Sequence, residues 1–408
     1  MKKRLSLLTL SLILAIALAA CSGGASGDQS GGGTPAPAPS GGGEASSGPD
    51  ASNPIKIGGL MAMTGGLASD GEDISNAINL AVENRNADGG VIGRTVEFVS
   101  EDAASTPDTA VNAAQKVLRD TSYDAVFGPH FSAQMLAIAD LLNETQVVHM
   151  TGSQSVKVTE AVTNPYSTWF RIPDIYAGTT CATYFVDELH LKKIGIMAVN
   201  DDFGQSAKDQ IVKYLDEKGV DYVVETYGNE DKDMTTQIMN LKNAGVDGII
   251  CWSYNDVYVV CARQLYELGM NNIPRMSNGA VTNPNSLERM ESDWYADWYC
   301  ITEWNPQDTS SASVDFNNAY VAKYNKNPNF LSASWYSATM YYLDAVEKAG
   351  STDKDAVLAA MNSMTPYEAL TGSWNRGGDD PRVMCRVMSV VQVTGDTKIN
   401  TLKVYDFN

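Results

Sequence analysis

Residues 55–82 read IKIGGLMAMTGGLASDGEDISNAINLAV. The first seven are a short apolar run, the pattern of a buried strand. A polar, glycine-rich loop follows, AMTGGLASDG (62–71). Ile74, Ala77, Ile78, Ala81 and Val82 then recur at i, i+3, i+4, i+7 and i+8, one face of an amphipathic helix. Strand, glycine-rich turn and helix together form the repeating half of a parallel sheet.

The unit repeats downstream. TVEFVSE (95–101) predicts a strand and 106–119 a helix; DAVFG (124–128) a third strand, 133–142 a third helix, and QVVHM (146–150) a fourth strand. Short loops between alternating strands and helices imply parallel pairing and a doubly wound sheet. The pattern restarts after Pro173. KKIGIMAVN (192–200), VDYVVETYG (220–228), VDGIICW (246–252) and IPRMSNG (273–279) are the strands, and Gly219, Gly245 and Gly269 stop the helices between them. Beyond Trp304 come three helical stretches, 313–324, 332–349 and 353–361, then β-like runs at 382–393 and 399–407. These are additions to the first two units rather than a third domain.

The chain ends differ in character from this body. MKKRLSLLTLSLILAIALAA (1–20) has a basic start and an apolar core, the layout of a secretion signal. Leu18-Ala19-Ala20-Cys21 resembles the lipobox of bacterial lipoproteins, with Cys21 as the acylated residue; the alternative is a plain signal with a chance cysteine. Residues 21–53 are mostly Gly, Ser, Ala and Pro, too poor in apolar surface to order themselves, and read as a tether. The remaining length suits two domains of roughly 150 residues each.

Net charge is −20. An acidic surface argues against nucleic acid as a partner and for solubility. Cys181, Cys251, Cys261, Cys300 and Cys385 form no C-x-x-C pair, which disfavours a zinc or redox site and leaves small buried hydrophobes as the default. Phosphate-loop, nucleophile-elbow, zinc-helix and dinucleotide motifs are all missing, so catalytic residues, metal and cofactor are each expected to be none. Of the histidines, His190 reads as surface and His149 as a satisfied core residue. His130 stands in a strand-end loop, where it either lines a cleft or has no role.

Ligands of open α/β sheets sit beyond the carboxyl ends of the strands. The loops there are Met63–Gly66, Gly128–Ser132, and Thr151–Ser155 of MTGSQS in the first unit. In the second they are Asn200–Gly204, Trp252–Tyr254 and Ser277–Gly279. The first set offers hydroxyls and backbone N–H groups near helix starts, suited to an anion. The second adds aromatic faces and an amide.

Together with YSTWFRIPD (166–174), VNDDFGQS (199–206), AGVDGIICWSY (244–254) and TGSWNRGGD (371–379), the opening stretch resembles type I solute-binding proteins. Within them it is most similar to the branched-chain amino-acid-binding proteins of ABC transporters. The resemblance spans the chain from Pro54 on. It implies an α/β fold of two doubly wound parallel-sheet lobes joined by three hinge crossovers, near Pro173, Trp304 and Gly372. The first lobe would comprise 54–173 and 305–372, the second 174–304 and 373–408. It further implies an extracytoplasmic lipoprotein, anchored to the cell membrane through Cys21, that delivers a small amino acid to the permease subunits. An amide or small carboxylate ligand, or a ligand-sensing role, is the alternative.

Carried over position by position, Ser132, Ser153 and Ser155 would hold the ligand's charged end, with helix capping as the competing role for Ser132 and Ser155. Phe203 and Tyr254 would cover the ligand on closure, though Phe203 also reads as a core aromatic. Two positions depart from the family pattern. Asn278 stands where many members carry an acid for the ligand's ammonium, and Asp70 where some place an aromatic. Glu303, at the second crossover, is the expected substitute acid; its competing reading is a solvated hinge-edge glutamate.

Overall fold

A computed structural model describes residues Gly48–Asn408. The expected signal segment 1–20, Cys21 and most of the tether lie outside the described residues. The first run of elements is β1 (Asp50–Met61), α1 (Ala68–Ala87), β2 (Arg94–Asp102), α2 (Pro107–Val117), β3 (Ala125–Phe127), α3 (Ser132–Thr145), β4 (Val148–Thr151), α4 (Val156–Ala161) and β5 (Ser167–Trp169). Its five strands form one parallel sheet in the order β2-β1-β3-β4-β5.

The second run is α5 (Asp174–Thr183), extended by one π-helical turn (Tyr184–Glu188), β6 (Lys193–Val199), α6 (Asp202–Lys218), β7 (Asp221–Tyr227), α7 (Thr235–Ala244), β8 (Gly248–Trp252) and α8 (Asn255–Glu267). It ends with β9 (Arg275–Asn278), the short helices α9 (Pro284–Leu287) and α10 (Ser292–Tyr295), and β10 (Trp298–Thr302). After these come α11 (Ser311–Tyr324), α12 (Phe330–Ala349), α13 (Lys354–Ser363), the hairpin β11 (Tyr367–Ala369) and β12 (Gly372–Trp374), then β13 (Val387–Val393) and β14 (Ile399–Asp406). The second sheet runs β14-β13-β10-β9-β8-β6-β7. Strands β6 to β10 are parallel, and β13 and β14 add an antiparallel edge. The fold is thus two doubly wound α/β lobes.

Local signals account for the element ends. Thr106 caps α2 by accepting from Thr109 N at 3.4 Å, with Pro107 in the first turn. Asp201 caps α6 through Gly204 N at 3.0 Å, and left-handed Gly219 and Gly245 end α6 and α7. The first strand begins at Asp50, inside the segment expected to be tether. Asp50 N donates to Gly93 O at 2.8 Å, and Arg94 Nε and Nη2 donate to the carbonyls of Asn53 (2.7 Å) and Pro54 (2.9 Å). One backbone bond and the Arg94 guanidinium, not apolar burial, tie these polar residues to the β2 edge.

The lobes are interleaved. Helix α12 lies against α1 in the first lobe and drives Trp335 into its core. There the indole meets Phe127 (ring centroids 6.1 Å) and, edge-on, Phe170 (4.7 Å). The chain reaches that helix only after building most of the second lobe. His149 is a satisfied core residue: Nε2–H donates to Gly128 O at 2.9 Å and Nδ1 accepts from Ser167 Oγ at 3.2 Å. Burial pushes its pKa down to about 4. His190 is exposed, and all five cysteines from Cys181 to Cys385 are buried and unpaired.

In each lobe the strand order reverses once, between β1 and β3 and between β6 and β8. The crevices opened by these reversals are where loops can converge on a ligand. Helix α6 starts hard against its strand there: a Cβ on Gly204 would sit 1.8 Å from the Val199 carbonyl oxygen. Gly204→Ala must therefore lift the helix start off β6. We expect a stability loss of about 1–3 kcal/mol, measured by urea unfolding.

Candidate functional site

One cleft lies between the lobes at these reversals. From the first lobe it is lined by Asp70 on α1, His130 to Ser132 after β3, Gly152 and Gln154 after β4, Arg171 after β5, and Phe330 and Leu331 on α12. From the second come Phe203 on α6, Ser253 to Asn255 after β8, and Asn278 on β9. Together with the solvent at its mouth the space is ≈ 440 Å³, and the room left between the side chains is small, ≈ 40 Å³.

The glycine of MTGSQS has a steric role. A Cβ on Gly152 would lie 2.5 Å from His130 Nδ1, so the imidazole can pack here only against a bare backbone. The ring is fixed from the other side by Trp335, whose Nε1–H donates to His130 Nδ1 at 3.0 Å. The ring proton is therefore on Nε2, which faces Arg171 Nη1 at 3.5 Å. Burial and the Arg171 charge hold the His130 pKa well below its usual value. The imidazole and the guanidinium thus stand together on the cleft wall, and Arg171 brings the positive charge that an anion would need.

Arg171 is itself positioned from the second crossing. Its Nε donates to Glu303 Oε2 at 2.8 Å, the Ile172 amide donates to Oε1 at 3.0 Å, and the guanidinium stands 5.0 Å over the Phe330 ring. Glu303 consequently does not line the cleft; it is neither a free acid for a ligand nor a solvated hinge residue. A strand-end carboxylate at the crossing meets the first crossing's arginine before it meets solvent.

Ser132, Phe203, Tyr254 and Asn278 line the cleft. Ser153 and Ser155 do not. Ser153 Oγ is 3.2 Å from Ser132 Oγ behind the wall, and the fully buried Ser155 hydroxyl has no partner among the described residues. Nor do Ser132 and Ser155 cap helices through their side chains: Ser132 is the first residue of α3, and Ser155 precedes α4 without a capping bond. Instead Ser206, from the other lobe, accepts from Val156 N at 3.1 Å. Asn278 is bound both ways to the Ser253 backbone, accepting at 3.2 Å and donating at 2.9 Å.

The lobes touch across the cleft. Tyr254 stacks on Phe203 (centroids 5.2 Å, 26°) and meets Phe131 of the first lobe edge-on (5.7 Å, 76°). Its hydroxyl donates to Asp201 at 2.8 Å. Asn255 Nδ2 donates to Asp70 Oδ1 at 2.6 Å. These contacts define a closed arrangement. Arg171, Asn255, Gln154 and Phe330 were not singled out from sequence. For Arg171 the only signal was its place in YSTWFRIPD, since its partner is far away in the chain. Among the described residues no group of three or more His, Cys, Asp or Glu side chains is placed to hold a metal ion, and no helix is long and apolar enough to cross a membrane.

Two sheets with opposed crevices and a cleft between them define a two-lobed solute receptor. The chain belongs to the periplasmic binding protein family, whose model matches residues 54–398. The leucine-, isoleucine-, valine-, threonine-, and alanine-binding protein of Pseudomonas aeruginosa is 26% identical over 337 residues, 81% of this chain and 87% of that protein. The branched-chain amino acid transporter substrate-binding protein LivJ of Streptococcus pneumoniae, solved with isoleucine, superposes with a TM-score of 0.76 at 20% identity, covering 86% of this chain and 99% of that one. A solute-binding protein of an ABC transporter from Rhodopseudomonas palustris, solved with 3,4-dihydroxybenzoic acid, reaches 0.78 at 21% identity, covering 87% and 98%. The two structures share the fold while binding different solutes. The family's members are ABC-transporter solute-binding proteins that work outside the cytoplasm.

Because the Arg171 and Glu303 side chains are only 10% and 1% exposed, removing one charge strands the other in a dry site. Glu303→Gln should cost about 3–5 kcal/mol in urea unfolding. The double variant with Arg171→Gln should recover part of that loss.

Proposed function

We propose that the protein is the solute-binding component of an ABC importer, tethered outside the cytoplasm by a lipid on Cys21, and that its lobes close on a small amino acid for delivery to the permease. The observation that carries this reading is the charge content of the cleft. Among its lining residues Asp70 is the one carboxyl and Arg171 the one permanent cation, a dipolar lining matched to a zwitterion. The amino-acid ligands in the names of its relatives support the same class. Closure by a hinge motion follows from the three crossings between the lobes.

A small carboxylate lacking the amine is the second reading. It is favoured by the Arg171 cation on the cleft wall and by the neutral amide at Asn278. A thermal-shift screen against amino acids, amides and small carboxylates separates the readings. A ligand that binds only the native state raises stability by about 2.7 kcal/mol at a hundredfold excess over Kd. If carboxylates shift the midpoint and no amino acid does, the amino-acid reading falls.

With the bound ligand identified, Ser132→Ala should weaken affinity by about tenfold to a hundredfold, the loss of one hydrogen bond to a charged group. Ser155→Ala, whose hydroxyl lies behind the wall, should leave affinity unchanged in the same titration. For the anchor, Cys21→Ser should move the protein from the membrane fraction to the soluble one on cell fractionation; retention in the membrane fraction would exclude acylation of Cys21.

A further inference from the structure

A zwitterion needs a partner for its ammonium, and the two acids or amides first considered are both occupied. Glu303 spends its oxygens on Arg171 and Ile172. Asn278 uses both ends of its amide on the Ser253 backbone. Asp201, close behind Tyr254, accepts from that hydroxyl and from Gly204 N. Asp70 differs. It is 6% exposed and lines the cleft, Oδ1 accepts from Asn255, and no donor reaches Oδ2 among the described residues.

We propose that Asp70 receives the ligand's protonated amine on its free oxygen, while the Arg171 guanidinium edge, beside His130 Nε2, receives the ligand's carboxylate. This rests on the amino-acid reading above and specifies how the site would meet it. The charge a ligand ammonium requires then comes from the first turn of α1 in the first lobe, instead of from β9 in the second. It also couples occupancy to closure. Asp70 Oδ1 already holds Asn255 of the second lobe, so one carboxylate would bridge the ligand and the opposite wall.

The surrounding charges leave Asp70 in need of a cation. Asp73 on the same helix and Asp256 on α8 both raise its pKa, after the dominant effect of burial, to about 7. Lys326, the nearest cation acting on it, is committed to Asp73 Oδ1 (2.5 Å) and Glu72 (3.7 Å). Arg171 is neutralised by Glu303, and His130 is held neutral. In the closed arrangement a falling pH therefore places a proton on Asp70, and a ligand ammonium must displace it. Affinity for an amino acid should fall as pH drops, by up to about tenfold per pH unit once below the pKa of Asp70 in the ligand-free protein.

The test is calorimetric titration of the wild type and Asp70→Asn with the L-amino acid that gives the largest midpoint shift, and with its 2-hydroxy-acid counterpart, at pH 6, 7 and 8. The expected result at pH 8 is a loss of about tenfold to a hundredfold for the amino acid in Asp70→Asn. The 2-hydroxy acid should bind the variant no worse than the wild type, and the variant's amino-acid affinity should no longer vary with pH. The ratio of the two affinities is read within one protein, so a general loss of fold does not mimic the effect. Should Asp70→Asn fail to fold, the wild type decides: an amino acid bound no more tightly than its 2-hydroxy-acid counterpart at pH 8 overturns the proposal. Equal amino-acid affinity in variant and wild type overturns it while leaving the amino-acid reading intact. Absence of any amino-acid binding to the wild type removes both.

Discussion

Glu303 is the point on which the two lobes are hung. One of its oxygens takes the Arg171 Nε and the other the Ile172 amide, so the chain leaving β10 is fastened to the chain leaving β5. A later segment, ten residues beyond the crossover expected near Gly372, joins them through backbone: Trp169 N donates to Arg382 O at 2.8 Å and Met384 N to Trp169 O at 2.9 Å. The three segments are thus tied to one another at a single level of the fold. A buried ion pair is a poor source of net stability but a strict geometric constraint, because neither charge can leave without stranding the other. The same constraint aims the remaining guanidinium nitrogens into the cleft, so hinge and site share one residue.

Closure depends on groups that are polar yet dry. Asn255 reaches Asp70, Ser206 reaches the first turn of α4, and Tyr254 fits between Phe203 and Phe131. Each would face water if the lobes parted, so the energy separating open from closed forms is the difference between good hydration and good pairing. Such differences are small. A ligand therefore needs to contribute only modest extra interaction to set the balance.

The sequence carried the parts of this structure that are local. Strand and helix alternate because apolar residues recur at periods the backbone enforces, and glycines such as Gly219 mark helix ends by a conformation few other residues adopt. The strand-end loops followed from sheet topology. What stayed hidden depends on distant partners. Arg171 meets Glu303 across 131 or more intervening positions, and Asp70 meets Asn255 from further still. Neither spacing leaves a periodic trace. Strand β5, three residues long, is too short to show a period, and Asp50 to Asn53 are too polar to read as strand. Ser155 is a different case: a serine in a hydroxyl-rich loop reads as presented to a ligand, and the structure buries it away from the residues that line the cleft.

The interleaving of the lobes has a consequence for how the chain comes into being. Synthesis delivers β1 to β5 first, yet the core of that sheet is closed by Trp335 on α12, which follows nearly all of the second lobe. Until about residue 349 has emerged, Phe127 and Phe170 lack the indole that covers them. The core of the first lobe is therefore completed only once that helix has been made. Long-range pairing of this kind slows folding.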